Sequence, residues 1–416
     1  MEIREQLKRY KDVNNIMHLV NKDSLYREHL DQAPGKAKGV DGLSKALYEQ
    51  NLGENLESLV NRMRKYQYRP LPVRRTYIPK LNGKLRPLGI PAYEDKLVQG
   101  AMSRILNEIY EQIFLDCSFG FRPGRGCHDA IKRINNTIMF RSVNWILEAD
   151  IKGFFDHVNH EWLVKFLRHV IKDLGFIRYI VRFLKAGIIE DGVIRESIEG
   201  TPQGGLISPI LANVYLHYVL DLWVEYYLKV KCKGKVYYVR YADDFILLFE
   251  YEEDASHTID LLKERLAKFS LEVAEDKTRI LPFGPRTGTR EKFDFLGFSF
   301  YNTKTRTGKY RVGLQTCAKK LKAKMAQAKE WIKAHMHTKV YELLTALNLK
   351  FRGHCQYYGV NGNFNALKKF KAYLCTITFK TLRRRSQVHR ISWQRFTELW
   401  EKFICQPRIC VNIWYS

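Results

Sequence analysis

The segment that most constrains this chain is Tyr241-Ala-Asp-Asp244, read with its flanks. Val236-Tyr-Tyr-Val-Arg240 precedes it and Phe245-Ile-Leu-Leu-Phe249 follows it. Two short, mostly apolar runs around a polar tip predict a β-hairpin with adjacent carboxylates at its turn. Asp favours turns in any case, so this pair alone decides nothing. A further carboxylate, Asp150, closes another apolar run, Trp145-Ile-Leu-Glu-Ala149. Joining nucleotides needs in-line attack of a 3′-hydroxyl on phosphorus, with two metal ions about 4 Å apart stabilising the attacking and leaving oxygens. Carboxylates converging from two strands can hold such ions, and hard oxygen ligands suit Mg2+. The pattern predicts a polymerase palm built on Asp150, Asp243 and Asp244.

Charge agrees with an anionic partner. The 416 residues carry a formal net charge of +26. Residues 301–416 hold 24 Lys and Arg against 4 Asp and Glu, so most of the excess lies in the last quarter. A basic run is often only a solvated face, but a sustained excess interleaved with aromatics predicts RNA or DNA contact. The C-terminal region has no single clean amphipathic stretch of the kind that lies on a membrane. The eight cysteines are scattered without a Cys-x-x-Cys pair. They are expected to be core thiols in a reducing compartment, and no zinc site is expected at Cys405 and Cys410. With no signal peptide and no long apolar run, the expectation is a soluble, intracellular protein.

Along the chain, residues 1–60 read as polar helices, with Ser44 placed to cap one of them. Two short strands, 74–80 and 84–90, are joined by Leu81-Asn82-Gly83, a hairpin turn signal. Helices are expected at 94–115, 128–140, 160–186, 208–227 and 254–268, and strands at 145–151, 236–249 and near 271–280. Residues 315–390 are expected to be mostly helical, since no proline occurs between Pro285 and Pro407. The class is α+β with a following all-α unit: a right-hand polymerase with fingers and palm, an antiparallel sheet plus helices, and an α-helical thumb. The expected domains are an N-terminal extension and start of the fingers at 1–75, fingers at 76–145, palm at 146–305, thumb at 306–390, and a short basic segment at 391–416.

Several residues around the acids have chemistry to offer. Lys80 and Arg86 lie on the first hairpin, where cations can clamp a triphosphate. Phe155 follows Asp150 closely and could exclude a 2′-hydroxyl, with core packing as the alternative. Gly200-Thr-Pro-Gln-Gly-Gly205 is a turn that can approach a base or sugar closely. Lys277 follows a strand-like run and could protonate a pyrophosphate leaving group, with a solvated lysine as the alternative.

The ordered set resembles reverse transcriptases, and most closely the group II intron-encoded reverse transcriptase/maturases of bacteria. The segments that carry the resemblance are Ile78-Pro-Lys80 with Lys84 to Pro91, Ser118-Phe-Gly-Phe-Arg-Pro-Gly-Arg125, Asp150-Ile-Lys-Gly-Phe-Phe-Asp156, Thr201-Pro-Gln-Gly-Gly205, Tyr241-Ala-Asp-Asp244, Lys277-Thr278 and Phe295-Leu-Gly-Phe298. Lys38-Gly-Val-Asp-Gly-Leu43 resembles the N-terminal block of this group, and Leu349 to Gly359 resembles its maturase or thumb region.

By position, the resemblance implies that Asp150 and Asp243 bind two Mg2+ ions with the Ile151 carbonyl, and that Asp244 is a third acid. It implies that Lys80, Arg86, Phe155, Gln203 and Lys277 contact the incoming dNTP, with Phe155 selecting the sugar and Lys277 as general acid. Arg122, Arg125, Arg352, Arg383, Arg384 and Arg385 are the expected nucleic-acid contacts. The implied activity is RNA-directed DNA synthesis on an RNA template from a DNA primer, with binding of structured group II intron RNA and of a DNA target. Two alternatives remain: a splicing cofactor whose polymerase activity is incidental, and a domesticated enzyme of phage defence, CRISPR spacer acquisition or mutagenic retroelements. Longer family members carry a His-Asn-His endonuclease after the thumb. The sequence ends at Ser416 without one, so no self-sufficient second-strand cleavage is expected.

Overall fold

The computed structural model describes residues 2–79, 85–190, 193–195, 199–200, 204–385 and 391–414. Their backbone falls into two compact units. The first comprises Met1–Gly126, Glu148–Leu247 and Glu253–Arg279, and the second Cys127–Leu147, Leu248–Glu252 and Ile280–Ser416. Among the described residues no helix is long and apolar enough to cross a membrane.

The first unit opens with helices α1 (Ile3–Tyr10), α2 (Lys22–Asp31), α3 (Lys45–Glu49) and α4 (Leu52–Arg64). Asn21 and Ser24 form a reciprocal capping box on α2. Ser44 caps α3 as expected, accepting from the Leu47 N–H. Strands β1 (Val73–Pro79) and β2 (Leu85–Ile90) pair antiparallel, with Ile78 opposite Arg86. The Leu81–Gly83 turn and Lys80 lie outside the described residues. Helix α5 (Tyr93–Tyr110) follows and is buried along most of its length. Helix α6 (Cys127–Phe140) belongs to the second unit.

Strand β3 (Trp145–Ala149) leads to α7 (His160–Val170) and α8 (Leu174–Leu184). Residues 160–186 are expected to be helical, and the structure forms two helices there, parted at Asp173. That carboxylate caps α8 through the Phe176 N–H and also takes the N–H groups of Ile16 and Met17. A side chain committed to three backbone donors holds the chain in an extended cap rather than a helix. Short strands β4 (Ile188–Glu190) and β5 (Val193–Arg195) extend the first hairpin into a sheet of order β2-β1-β4-β5.

Helix α9 (Ser208–Leu216) starts with proline in its first turn and is followed by two π-helical turns, His217–Asp221 and Val224–Leu228, and a final turn α10 (Lys229–Lys231). The predicted hairpin is present as β6 (Val236–Tyr241) and β7 (Asp244–Phe249), followed by α11 (Glu252–Ala267). The strand expected near 271–280 needs correction. Only Val273 bridges Ile151, residues Glu275–Lys277 form a tight turn, and the ladder strand is β8 (Arg279–Pro282). The resulting sheet has order β6-β7-β3-β8.

The second unit contains a three-stranded sheet of β9 (Lys292–Phe295), β10 (Phe298–Lys304) and β11 (Tyr310–Thr316), in the order β11-β10-β9. Leu296 and Gly297, both at positive φ, make the two-residue turn between β9 and β10. The boundary expected at 305/306 falls at the tip of the β10–β11 hairpin. Helices α12 (Ala318–Ala334), α13 (Val340–Tyr358), α14 (Phe364–Leu382) and α15 (Trp393–Phe403) complete the unit. Leu344, Phe351, Leu367, Phe370, Phe396 and Trp400 form the centre of its core.

Candidate active site

The site is built on β7 and β3, the two central strands of the sheet β6-β7-β3-β8. Strand β7 is buried from Phe245 to Phe249, as its continuous apolar run requires for a strand paired on both edges by β6 and β3. Its partner β6 ends at Tyr241, so the loop is only Ala242 and Asp243, and Asp244 already begins β7. Ala242 takes a left-handed φ of 56°, unusual for a residue with a side chain. Asp150 stands just past the end of β3, the strand next to β7. Asp150 and Asp243 thus come together from neighbouring strands.

Their electrostatics show the proximity. Burial pushes the Asp243 carboxyl above the usual range, and the charge of Asp150 pushes it the same way. Its own backbone N–H, Arg86 and Lys277 oppose the rise. Lys277 donates from Nζ to Oδ2 of Asp150, and that bond raises the Lys277 pKa above the usual lysine value. Arg86 is exposed on β2.

Backbone pairing decides where the Ile151 carbonyl points. The Asp150 carbonyl accepts from Ala274, and the Lys152 N–H donates to Glu272, leaving Ile151 and Val273 as a non-hydrogen-bonded antiparallel pair. The polar groups of Ile151 therefore face away from Val273, towards the opposite edge. Among the described residues no three His, Cys, Asp or Glu side chains gather in a metal-holding cluster. Asp244 is exposed. The oxygens that could hold a cation here are the Asp150 and Asp243 carboxylates and the Ile151 carbonyl. All are hard oxygens, and they fit a divalent cation whose remaining positions are filled by other oxygen donors.

Phe155 lies in the Phe154–Asp156 turn, after Gly153 in the left-handed region. It is half-buried, with its ring edge-on to Phe154 at 5.2 Å. Gly200 packs against this turn so closely that a Cβ there would sit 2.8 Å from the Phe155 carbonyl oxygen. Gly204 does the same against β2, where a Cβ would sit 2.4 Å from the Gly89 carbonyl oxygen. The glycines of the Gly200–Gly205 loop are thus used for close approach at both ends. Gln203, like Lys80, lies outside the described residues.

The expected nucleic-acid arginines divide. Arg122 requires correction: its side chain is 1% exposed, and it donates to both oxygens of Glu111 and to the carbonyls of Leu115 and Ser118. A guanidinium with its donors committed inside the fold is a brace, not a phosphate contact. Arg125 pairs with Asp116. Arg352, Arg383 and Arg384 are exposed, whereas Arg385 is half-buried and donates to the Thr338 carbonyl.

The sequence reading also passes over Arg240. It is completely buried one residue before the Tyr241–Asp244 tip, bound to Asp221, Asn213 and the Ala242 carbonyl. The signal for it in the sequence is a charged residue inside an apolar strand.

Comparisons with known proteins converge on one family. The family described as "Reverse transcriptase (RNA-dependent DNA polymerase)" matches residues 78–300. The Group II intron-encoded protein LtrA of Lactococcus lactis subsp. cremoris is 32% identical over 439 aligned positions, covering 86% of this chain and 72% of that protein. Protein YkfC of Escherichia coli (strain K12) is 34% identical over 307 positions, covering 66% of this chain and 78% of that protein. A shorter match, 32% over 96 positions, is to Nuclear intron maturase 1, mitochondrial, of Arabidopsis thaliana, covering 22% of this chain and 13% of that protein.

Proposed function

The chain belongs to the group II intron-encoded reverse transcriptases, RNA-directed DNA polymerases, and we propose that its metal ions are two Mg2+ held by Asp150, Asp243 and the Ile151 carbonyl. The observation that carries this reading is the convergence of Asp150, just past the end of β3, and Asp243, at the tip between β6 and β7, from neighbouring strands. Two carboxylates held within reach of each other gain from a shared cation. Mg2+ bound there would stabilise charge on the attacking and leaving oxygens.

The remaining roles are those that the family resemblance implies for the matching residues. Asp244 serves as the third acid. Arg86, with Lys80, binds the triphosphate of the incoming dNTP. Phe155 stands against the 2′ position of the sugar and selects deoxynucleotides, and Gln203 lies beside the nucleotide. Lys277 delivers its proton to the pyrophosphate as it leaves. Residues 76–305 act as fingers and palm, and helices α12 to α14 as the thumb.

The decisive experiment is primer extension on an RNA template by Asp243→Ala and Asp150→Ala. Both variants are expected to be inactive while still binding primer–template, and a variant that extends normally removes the assignment.

We propose further that the protein binds structured group II intron RNA and assists splicing and mobility at a DNA target. The names of its relatives support this, as does α12. That helix buries only Ile332 and exposes Lys319, Lys320, Lys322, Lys324 and Lys333. Such a face suits a phosphate backbone. The bacterial relatives favour action in a bacterial cytoplasm, at the nucleoid when DNA is the target. If RNA affinity is unchanged when these lysines become glutamines, the thumb is not the RNA surface.

A further inference from the structure

We propose that Arg240 is a positioning residue for the polymerase centre: its guanidinium, locked by Asp221, holds the Ala242 carbonyl and so fixes the left-handed turn that aims Asp243. The proposal rests on the reading of Asp243 as a metal ligand.

The geometry is specific. Arg240 and Asp221 are both fully buried. Arg240 Nε donates to Asp221 Oδ1 at 2.7 Å, and Nη2 donates to Oδ2 at 2.6 Å. The remaining nitrogen, Nη1, donates to Asn213 Oδ1 and to the Ala242 carbonyl, each at 3.0 Å. The fork is therefore aimed by Asp221 and spends its free end on the hairpin tip.

Stability alone does not explain such a residue. A buried ion pair gains little over apolar packing of the same volume, because two charges must be desolvated. What this pair adds is a bond to the carbonyl of a residue held at φ 56°. A left-handed alanine is disfavoured, so the turn persists only where its surroundings over-determine it.

The opposite side of the tip is closed as well. Gly120 lies so near that a Cβ there would sit 2.4 Å from the Ala242 nitrogen. The Gly120 carbonyl accepts from Asn213 Nδ2 at 2.7 Å, the same Asn213 whose Oδ1 accepts from Arg240. Asn213 thus ties both sides of the tip together. The backbone repeats the link, since Arg240 N donates to the Cys117 carbonyl and Phe119 N donates to that of Arg240. Asp221 ends the first π-helical turn after α9, a departure from α-helical register that often marks functional segments.

The frame works mechanically. Asp221 neutralises Arg240 inside the fold, whereas Asp243 feels the charges of Arg86 and Lys277.

Arg240→Lys tests the proposal. A lysine keeps a cation against Asp221, but one ammonium cannot span Asp221, Asn213 and Ala242 together. Single-nucleotide addition on an RNA template with a DNA primer is expected to lose about 10- to 100-fold in kcat, as small misplacements of reacting groups do. The KM for dNTP and the affinity for primer–template should stay near wild type, and Mn2+ binding to the substrate-free protein, read by electron paramagnetic resonance, should weaken. A wild-type kcat, or a loss that only tracks the unfolded fraction, overturns the proposal. Should Arg240→Lys not fold, Gly120→Ala presses the tip from the other side with the buried pair intact. It carries the same expectation, and wild-type kcat with wild-type Mn2+ affinity overturns the proposal there too. Asp243→Ala is the reference. Extension surviving in that variant defeats the reading of the site itself, whereas an inactive Asp243→Ala beside a fully active Arg240→Lys defeats the positioning role alone.

Discussion

Lys277 Nζ is bonded to Oδ2 of Asp150 across 127 positions of sequence. The lysine side chain is 61% exposed and the carboxylate 20%, so the pair contributes little to stability. Its consequence is local. The bond holds Lys277 protonated beside the acids, with its pKa raised above the ordinary lysine value. Lys277→Ala is expected to lower kcat for nucleotide addition by about 100-fold, a typical loss for a general acid. Lys277→Arg keeps the ion pair but cannot release a proton at working pH, so it should be nearly as slow. Rapid-quench kinetics decide the matter, and a Lys277→Arg enzyme at wild-type speed would assign the residue to charge rather than proton transfer.

Phe155 should control the choice of sugar. Its ring is half-buried and lies edge-on to that of Phe154. Phe155→Ala opens that space. The ratio of kcat/KM for rNTP over dNTP should rise by roughly 10- to 100-fold, the discrimination that steric contact in a pocket can supply. Competition between ATP and dATP opposite one template base measures it. An unchanged ratio would return Phe155 to the core.

Much of this site could be read from the chain because its determinants are local. The 236–249 hairpin follows from two apolar runs and a polar tip, and the Ser44 cap from the residue type before a helix. What could not be read depends on distant partners. The break at Asp173 exists because its carboxylate also serves Ile16 and Met17. The strand expected near 271–280 is displaced to Arg279–Pro282 because pairing with β3 is a matter of register, which local pattern specifies weakly. Arg122 and Arg384 look alike in sequence. Only the tertiary position of Glu111 sends the first inside and leaves the second exposed.

That contrast yields a paired prediction. Arg122→Met strands Glu111 and the carbonyls of Leu115 and Ser118, and breaking this largely buried pair costs about 3 kcal/mol. Its melting temperature should drop while the salt dependence of RNA binding by the folded protein stays the same. The double variant Arg383→Ala/Arg384→Ala should melt like wild type. Its log–log slope of RNA affinity against salt should flatten by about 1 for each phosphate that is no longer neutralised. Equal slopes in all three proteins would show that these arginines face solvent.

His354 sets a pH dependence in the second unit. Its ring lies 4.3 Å from that of Phe370 and 4.7 Å from that of Tyr358, and among the described residues neither ring nitrogen has a hydrogen-bond partner. Burial, reinforced by the nearby charge of Lys324, pushes its pKa down to about 4. Between that value and the ordinary histidine value of about 6.5, the unfolded chain binds a proton that the folded chain refuses. Stability is therefore lost as pH falls through this window, and the loss levels off below its lower edge. The full effect is on the order of 3 kcal/mol. His354→Phe keeps an aromatic ring in the same place and cannot take up the proton. Variant and wild type should differ by a constant amount above neutrality, with the variant gaining steadily as the medium is acidified through the window. Urea melts at a series of pH values read this directly, and parallel curves down to the lower edge would mean that His354 is not held neutral by its burial.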